Sequence, residues 1–212
     1  MTGSLGFSLI ALWGMLAVPG QFPAGARAAD KSGPGPVLVL LGEWFGDAYF
    51  PLKEEIESRG WAMKRVGVDV EYRGCYKKKR DIVLRSDILI KDMKDLSEFS
   101  CPIIPSGPQF RKFKENPEVL QFVRDAHAHG LLIASFCTGN FLVKAAGLVD
   151  LPEGPELFPV TVTMVKEGIL LGPRGGGPPP GNGYLGAPIK EICEAIALEL
   201  GKKATLSEKR NR

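Results

Sequence analysis

The chain has 212 residues, a formal net charge of +3, 44% hydrophobic and 24% charged residues. That length can bury one full core, and the apolar share excludes a disordered polymer. The near-neutral balance gives no global reason to bind nucleic acid or a membrane surface, so one globular domain is expected.

Residues 1–28 differ from the rest. Leu5 to Val18 is almost wholly apolar, Pro19 and Pro23 break the run, and Ala26-Arg27-Ala28 fits a small-x-small cleavage site. We read a secretory signal peptide, because the run is shorter than the ~20 residues a membrane span needs. Met1 to Ser4 carries no Lys or Arg, so only the α-amino group supplies positive charge there. The expectation is an exported protein, periplasmic or secreted, with no membrane attachment after signal cleavage. Export would put Cys75, Cys101, Cys137 and Cys193 in an oxidising compartment, where an even number invites pairing. A domain of this size needs no staples, however. Cys101 and Cys193 fall in apolar stretches and read as small core residues, whereas Cys75 lies in a polar segment and reads as exposed.

A linker at residues 29–36 leads into a domain at 37–201. Val37 to Leu41 is a short continuous apolar run, the pattern of a strand buried on both faces. Pro51, Leu52, Ile56 and the Gly60 stop mark a helix, and Trp61 to Val68 alternates toward a second strand. Residues 69–86 are polar and basic and predict a hairpin or loop excursion. Its Lys77-Lys78-Lys79-Arg80 run reads as a solvated loop more readily than as a phosphate contact. Ile88 to Ile90 predicts a brief strand and Cys101 to Ile104 another, ending in the turn Pro105-Ser106-Gly107-Pro108. Pro117 to His129 predicts a helix with Val119, Leu120, Val123 and Ala126 on one face, closed by Gly130. Beyond Asp150, Val160 to Met164 and Gly168 to Leu171 predict two strands joined at Lys166-Glu167. Gly172 to Gly186 predicts a loop, Ile189 to Leu200 a closing helix, and residues 202–212 a basic solvated tail. Strands alternating with helices of this length predict a mostly parallel sheet covered on both faces, with ligands beyond the carboxyl ends of the strands.

Cys137 follows the apolar run Leu131 to Phe136 and precedes Thr138-Gly139 and a helical stretch, Asn140 to Leu148. This is the sequence form of a nucleophile elbow. The crowded strand-to-helix turn demands small residues two before and two after the nucleophile, and Ser135 and Gly139 hold those places. A cysteine so placed, at a helix N-terminus, is expected to be a reactive thiol. His127 and His129 are two apart and would point to different helix faces, which does not suit metal ligation. No Cys-x-x-Cys or His-Glu-x-x-His pattern occurs, and the Gly-rich segment from Gly175 to Gly183 lacks the ending of a phosphate loop. We expect neither metal nor other cofactor.

Four segments in order then carry a resemblance: Ile103-Ile104-Pro105-Ser106-Gly107, Asn116-Pro117, Ala134 to Asn140 around Cys137, and Ala145-Ala146-Gly147-Leu148-Val149. Together they resemble the ThiJ/PfpI (DJ/PfpI) family within the class I glutamine amidotransferase-like superfamily. The resemblance implies a flavodoxin-like three-layer α/β sandwich with Cys137 as nucleophile. It implies Asp47, four before Pro51, as the acid touching the sulfur, with Glu43 as the alternative acid. It also implies backbone oxyanion donors at Gly107 and Thr138. Three departures bear on activity. Thr138 stands where many relatives with hydrolase or amidotransferase activity carry their histidine, and no histidine follows Cys137; Asp47 replaces the usual Glu; Ser106 replaces the first glycine of a Gly-Gly turn. A Cys-His hydrolase is hard to build from this chain.

The expected function is therefore glyoxalase- or deglycase-type chemistry on small reactive carbonyls. The alternative is a non-catalytic binding or redox-sensing protein of the same fold, and a glutamine amidotransferase-like hydrolase ranks third. The expected partner is a small-molecule electrophile or oxidant, and the resemblance adds a homodimer because many relatives dimerise.

Overall fold

The computed structural model describes residues 35–75, 81–151, 154, 157–166, 168–174 and 186–210. The expected signal peptide, most of the linker, the Lys77 to Arg80 run and most of the Gly/Pro segment after Gly172 lie outside those residues.

Seven strands form one sheet in the order β5-β2-β1-β6-β7-β9-β8. They are β1 (Val37–Leu40), β2 (Met63–Gly67), β5 (Ile88–Leu89), β6 (Cys101–Ile104), β7 (Ile133–Phe136), β8 (Thr163–Lys166) and β9 (Ile169–Gly172). All neighbours pair parallel except β8, which runs antiparallel to β9. A small antiparallel pair, β3 (Glu71–Arg73) with β4 (Val83–Arg85), stands apart and meets the hairpin expectation for residues 69–86.

The strands in the middle of the sheet read as unbroken apolar runs because both faces are covered. In β1 the odd residues Val37 and Val39 join a cluster with Leu52 and Ile56 of α1 (Tyr49–Ser58) and Ile189, Ile192 and Ile196 of α5 (Gly186–Arg210). The even residues Leu38 and Leu40 join a second cluster with Val119, Phe122, Val123 and Ala126 of α3 (Pro117–Ala128) and Leu142 and Val143 of α4 (Asn140–Ala145). The period-2 alternation of a strand thus feeds two helix layers, which gives the three-layer sandwich. Asn116 starts α3 as expected, its Oδ1 accepting from the amides of Glu118 at 2.9 Å and Val119 at 3.3 Å ahead of Pro117.

Four local expectations change. A short helix, α2 (Phe110–Phe113), follows the Pro105 to Pro108 turn. Four residues are too few to leave a periodic signal. Helix α4 stops at Ala145 rather than reaching Leu148, because Gly147 turns the chain at φ 73° and its amide bonds the Lys144 carbonyl. Strand β8 spans Thr163–Lys166, three residues beyond the expected start, and its ladder with β9 carries a register shift between Met164 and Lys166. Finally, α5 continues past Leu200 through Arg210, so the segment expected as a tail is helical, with residues 201–206 exposed. Gly201 ends the apolar stripe without ending the helix, since Lys202, Lys203 and Ala204 are good helix formers.

Candidate functional site

β1, β6 and β7 are adjacent and parallel, so the loops leaving their carboxyl ends meet. These loops carry Glu43 to Ala48, Pro105 to Gln109, and Cys137 to Asn140. Glycines allow the approach. A Cβ on Gly46 would sit 3.0 Å from Gly107 Cα, and one on Gly139 would overlap the Ile104 carbonyl oxygen. A Cβ on Gly107, itself at φ 157°, would overlap the amide of the buried Gln109.

The elbow is present. Cys137 leaves β7 in the left-handed region at φ 52°, opens a single 3-10 turn (Cys137–Gly139), and α4 follows directly. Trp44, at φ 65°, is the other non-glycine residue with positive φ among the described residues, and it lies in the loop after β1. A non-glycine residue in this region costs about 1–3 kcal/mol and persists only where its surroundings over-determine it. Here the surroundings include Asn140, which is fully buried. Its Oδ1 accepts from Ser135 Oγ at 2.8 Å, and its amide donates to the Leu157 carbonyl at 2.7 Å and the Gly172 carbonyl at 3.0 Å. One side chain thus ties the strand before the elbow to the helix after it and to the end of β9. Sequence reasoning treated Asn140 as part of a motif and missed this role, since both carbonyl partners are remote in the chain.

The thiol of Cys137 is half-buried and packs against the α1/α5 cluster that includes Phe45, Ala48 and Ile189. Among the described residues no hydrogen bond reaches it. Asp47 lies half-buried in the loop before α1, whose N-cap is Ala48, and among the described residues no hydrogen bond joins Asp47 to Cys137. Glu43 faces the hairpin instead, its Oε2 accepting the Arg73 amide at 3.2 Å. Of the two expected oxyanion donors, the Gly107 amide donates to Thr138 Oγ1 at 2.8 Å. That hydroxyl also lies 3.2 Å from the Gly107 carbonyl and 3.2 Å from Ser106 Oγ. Thr138 therefore links the elbow to the turn after β6, and its hydroxyl occupies the donor that an alkoxide would use. The replacement of a glycine by Ser106 adds a second hydroxyl to that contact.

The four cysteines divide in two. Cys101 and Cys193 are fully buried, and burial pushes both thiols up, Cys193 to about 12. Cys75 and Cys137 are half-buried. His127 closes the last turn of α3 and His129 is its C-cap, the latter with Nδ1 2.8 Å from the Asp125 carbonyl. Among the described residues no cluster of three His, Cys, Asp or Glu could hold a metal ion.

Fold and site define a class: a flavodoxin-like α/β sandwich, mostly parallel, with a cysteine on a strained strand-to-helix turn at the carboxyl edge of the sheet. The sequence profile of the DJ-1/PfpI family matches residues 36–168, more than half of the chain, and the protein belongs to that family. Solved structures share the fold. A ThiJ/PfpI domain protein from Brachyspira murdochii superposes with a TM-score of 0.62 at 16% identity, covering 80% of this chain and 99% of its own. An oxidised DJ-1 from Toxoplasma gondii gives 0.54 at 19% identity, covering 78% and 97%. A two-domain protein from Anabaena variabilis, with DJ-1/ThiJ/PfpI-like and ferritin-like domains, gives 0.62 at 16% identity over 77% of this chain; the chain spans 48% of that protein. No curated protein matches the sequence.

Proposed function

We propose that Cys137 is a reactive thiol that takes up small electrophiles or oxidants in an exported protein. The observation that carries this reading is the left-handed backbone at Cys137, φ 52°, which holds a cysteine on a strained turn where three loops converge.

On a reactive carbonyl such as methylglyoxal, the thiol loses its proton to Asp47 and sulfur adds to the aldehyde carbon. The C=O π pair moves to oxygen beside the Thr138 amide, and the proton returns from Asp47 to give a hemithioacetal. The same carboxylate then moves the C1 proton to C2 while the hydroxyl proton passes from O1 to O2, and water hydrolyses the resulting thioester to the hydroxy acid and the free Cys137 thiol. The test is methylglyoxal consumption by Cys137→Ala. A variant that consumes it at the wild-type rate overturns this chemistry.

Oxidation of the same thiol is the second reading, and the Thr138–Gly107 contact favours it. Attack on a hydroperoxide breaks the O–O bond, puts one oxygen on sulfur as a sulfenic acid and releases the other as alcohol or water; it needs no oxyanion hole, so the occupied Gly107 amide is no obstacle. The apolar packing of the sulfur and the absence of a histidine after Cys137 are equally tolerable for an oxidant sensor. The Toxoplasma relative, solved in an oxidised form, is consistent with that use of the fold. Mass spectrometry after mild peroxide tests it: oxidation is expected at Cys137, as an oxygen adduct or a disulfide, ahead of Cys101 and Cys193, and equal oxidation at all of them overturns the reading.

A further inference from the structure

The oxidation reading leaves open what becomes of a sulfenic acid at Cys137, and a second thiol at the same edge of the sheet bears on it. Cys75 follows β3, and its amide donates to the Phe45 carbonyl at 3.2 Å, while Gly74 pairs with Phe45 in a parallel bridge. The Trp44 amide bonds the Arg73 carbonyl at 2.9 Å, and Glu43 takes the Arg73 amide. The hairpin is therefore laced along the loop after β1 by two backbone hydrogen bonds, a bridge between Phe45 and Gly74, and the Glu43 side chain. On its other side this loop reaches the elbow. Phe45 belongs to the cluster against which Cys137 packs, and Gly46 lies against Gly107, whose amide bonds Thr138, the neighbour of Cys137. The Phe45-Gly46 segment thus bonds Cys75 through its backbone and lies against Gly107, whose amide bonds the neighbour of Cys137. Cys101 and Cys193, both fully buried, cannot meet a solvent oxidant without unfolding.

We infer that Cys75 is the resolving thiol for Cys137. A hydroperoxide converts the Cys137 thiol to a sulfenic acid and leaves as alcohol or water. The Cys75 sulfur then attacks the Cys137 sulfur, the S–O bond breaks, and the hydroxyl leaves as water with the Cys75 proton. Two thiols are oxidised and one peroxide is reduced. A disulfide needs Cα atoms about 6 Å apart, so the linkage requires Cys75 and Cys137 to come within that distance across the Phe45-Gly46 segment. The consequence is protection: a disulfide is reversible, whereas further oxidation of an unresolved sulfenic acid is not.

This inference rests on the oxidation reading, and one experiment separates their failures. The full chain is treated with stoichiometric hydrogen peroxide at low protein concentration, digested without reduction and mapped by mass spectrometry, beside Cys75→Ser and Cys137→Ser. The expected result is a Cys75–Cys137 linkage within one chain in the wild type. In Cys75→Ser, Cys137 is expected to be trapped by dimedone and to pass to sulfinic acid with excess peroxide. If Cys137 gains oxygen in the wild type just as it does in Cys75→Ser, with no linkage, the resolving role falls and the oxidation reading stands. A Cys75–Cys137 linkage found only between chains overturns the intramolecular step. No oxidation at Cys137 in either protein overturns both. Matching circular dichroism spectra of Cys75→Ser and wild type guard against a folding artefact.

Discussion

Thr138 Oγ1 accepts the Gly107 amide at 2.8 Å, across the boundary between the elbow and the turn after β6. The contact joins the residue at the position of the family's common histidine to the amide expected to hold a developing oxyanion. Thr138→Ala frees that amide. If carbonyl addition is the chemistry, the variant consumes methylglyoxal faster than wild type, by up to about 100-fold, the order one oxyanion donor contributes. Thr138→Ser keeps the hydroxyl and stays near the wild-type rate. The comparison is a steady-state assay of the three proteins; equal rates for Thr138→Ala and wild type place no alkoxide at Gly107.

Asn140 donates to two carbonyls, of Leu157 and Gly172, and accepts from Ser135, all in a buried setting. Removing it leaves these groups without partners, and each such group costs about 1–3 kcal/mol. Asn140→Ala is therefore expected to lower unfolding free energy by about 3 kcal/mol in urea titration. Asn140→Asp is expected to be worse still, because a buried carboxylate would face two carbonyl oxygens. A loss below about 1 kcal/mol for Asn140→Ala would place the restraint on the elbow elsewhere.

Local signals are legible in the sequence, and contacts between distant segments are not. Strands β1, β6 and β7 were readable because burial on both faces leaves an uninterrupted apolar run, and α3 because Asn116-Pro117 and Gly130 punctuate it locally. The elbow was readable for the same reason: Ser135, Cys137 and Gly139 satisfy a local steric rule. The contacts of Thr138 with Gly107 and of Asn140 with Gly172 span 31 and 32 residues, and no local pattern encodes them. The family resemblance points to Asp47 by its spacing from Pro51, with Glu43 as the alternative, and only the hairpin lying beside that loop reveals that Glu43 faces Arg73. The exposed edge strand β8 was misplaced because its burial is irregular and its ladder slips by one residue.

Arg65 and Asp87 form a forked pair between β2 and the entry to β5, with Nη2 to Oδ1 at 2.7 Å and Nε to Oδ2 at 3.0 Å. The Arg65 hydrogen bond holds the Asp87 carboxyl below its ordinary value of 3.8. A depressed carboxyl pKa means that the unfolded chain takes up the proton first. The pair's contribution is thus present above the unfolded value near 3.8 and is lost as pH falls through the lower folded value. Both side chains keep over a quarter of their exposure, at 28% and 29%, so solvent screening limits the contribution to about 1 kcal/mol. Asp87→Asn is expected to reduce stability at neutral pH by that order and to flatten the fall in stability as pH drops below the unfolded value near 3.8. Denaturant titrations of the two proteins at a series of pH values check it; parallel acid limbs would remove Asp87 as their source.

Cys137 is strained where it stands, and the strain has a measurable sign. At φ 52° glycine has no Cβ penalty, whereas an L side chain costs about 1–2 kcal/mol. Cys137→Gly is therefore expected to offset its lost packing and extra chain entropy and to match or exceed wild type in unfolding free energy. Cys137→Ala keeps the backbone penalty, loses the sulfur's contact with the apolar cluster, and is expected to be less stable than both. Both variants lose thiol chemistry at this position, so stability and reactivity part company at a single residue. Gly139→Ala supplies the converse: its Cβ would overlap the Ile104 carbonyl oxygen, which sits on rigid β6 and cannot yield cheaply. That variant is expected to lose about 2 kcal/mol and to slow Cys137 alkylation by disturbing the turn. If Cys137→Gly proves clearly less stable than Cys137→Ala, the left-handed backbone at residue 137 is not a source of strain, and the proposal of a reactive Cys137 loses that support.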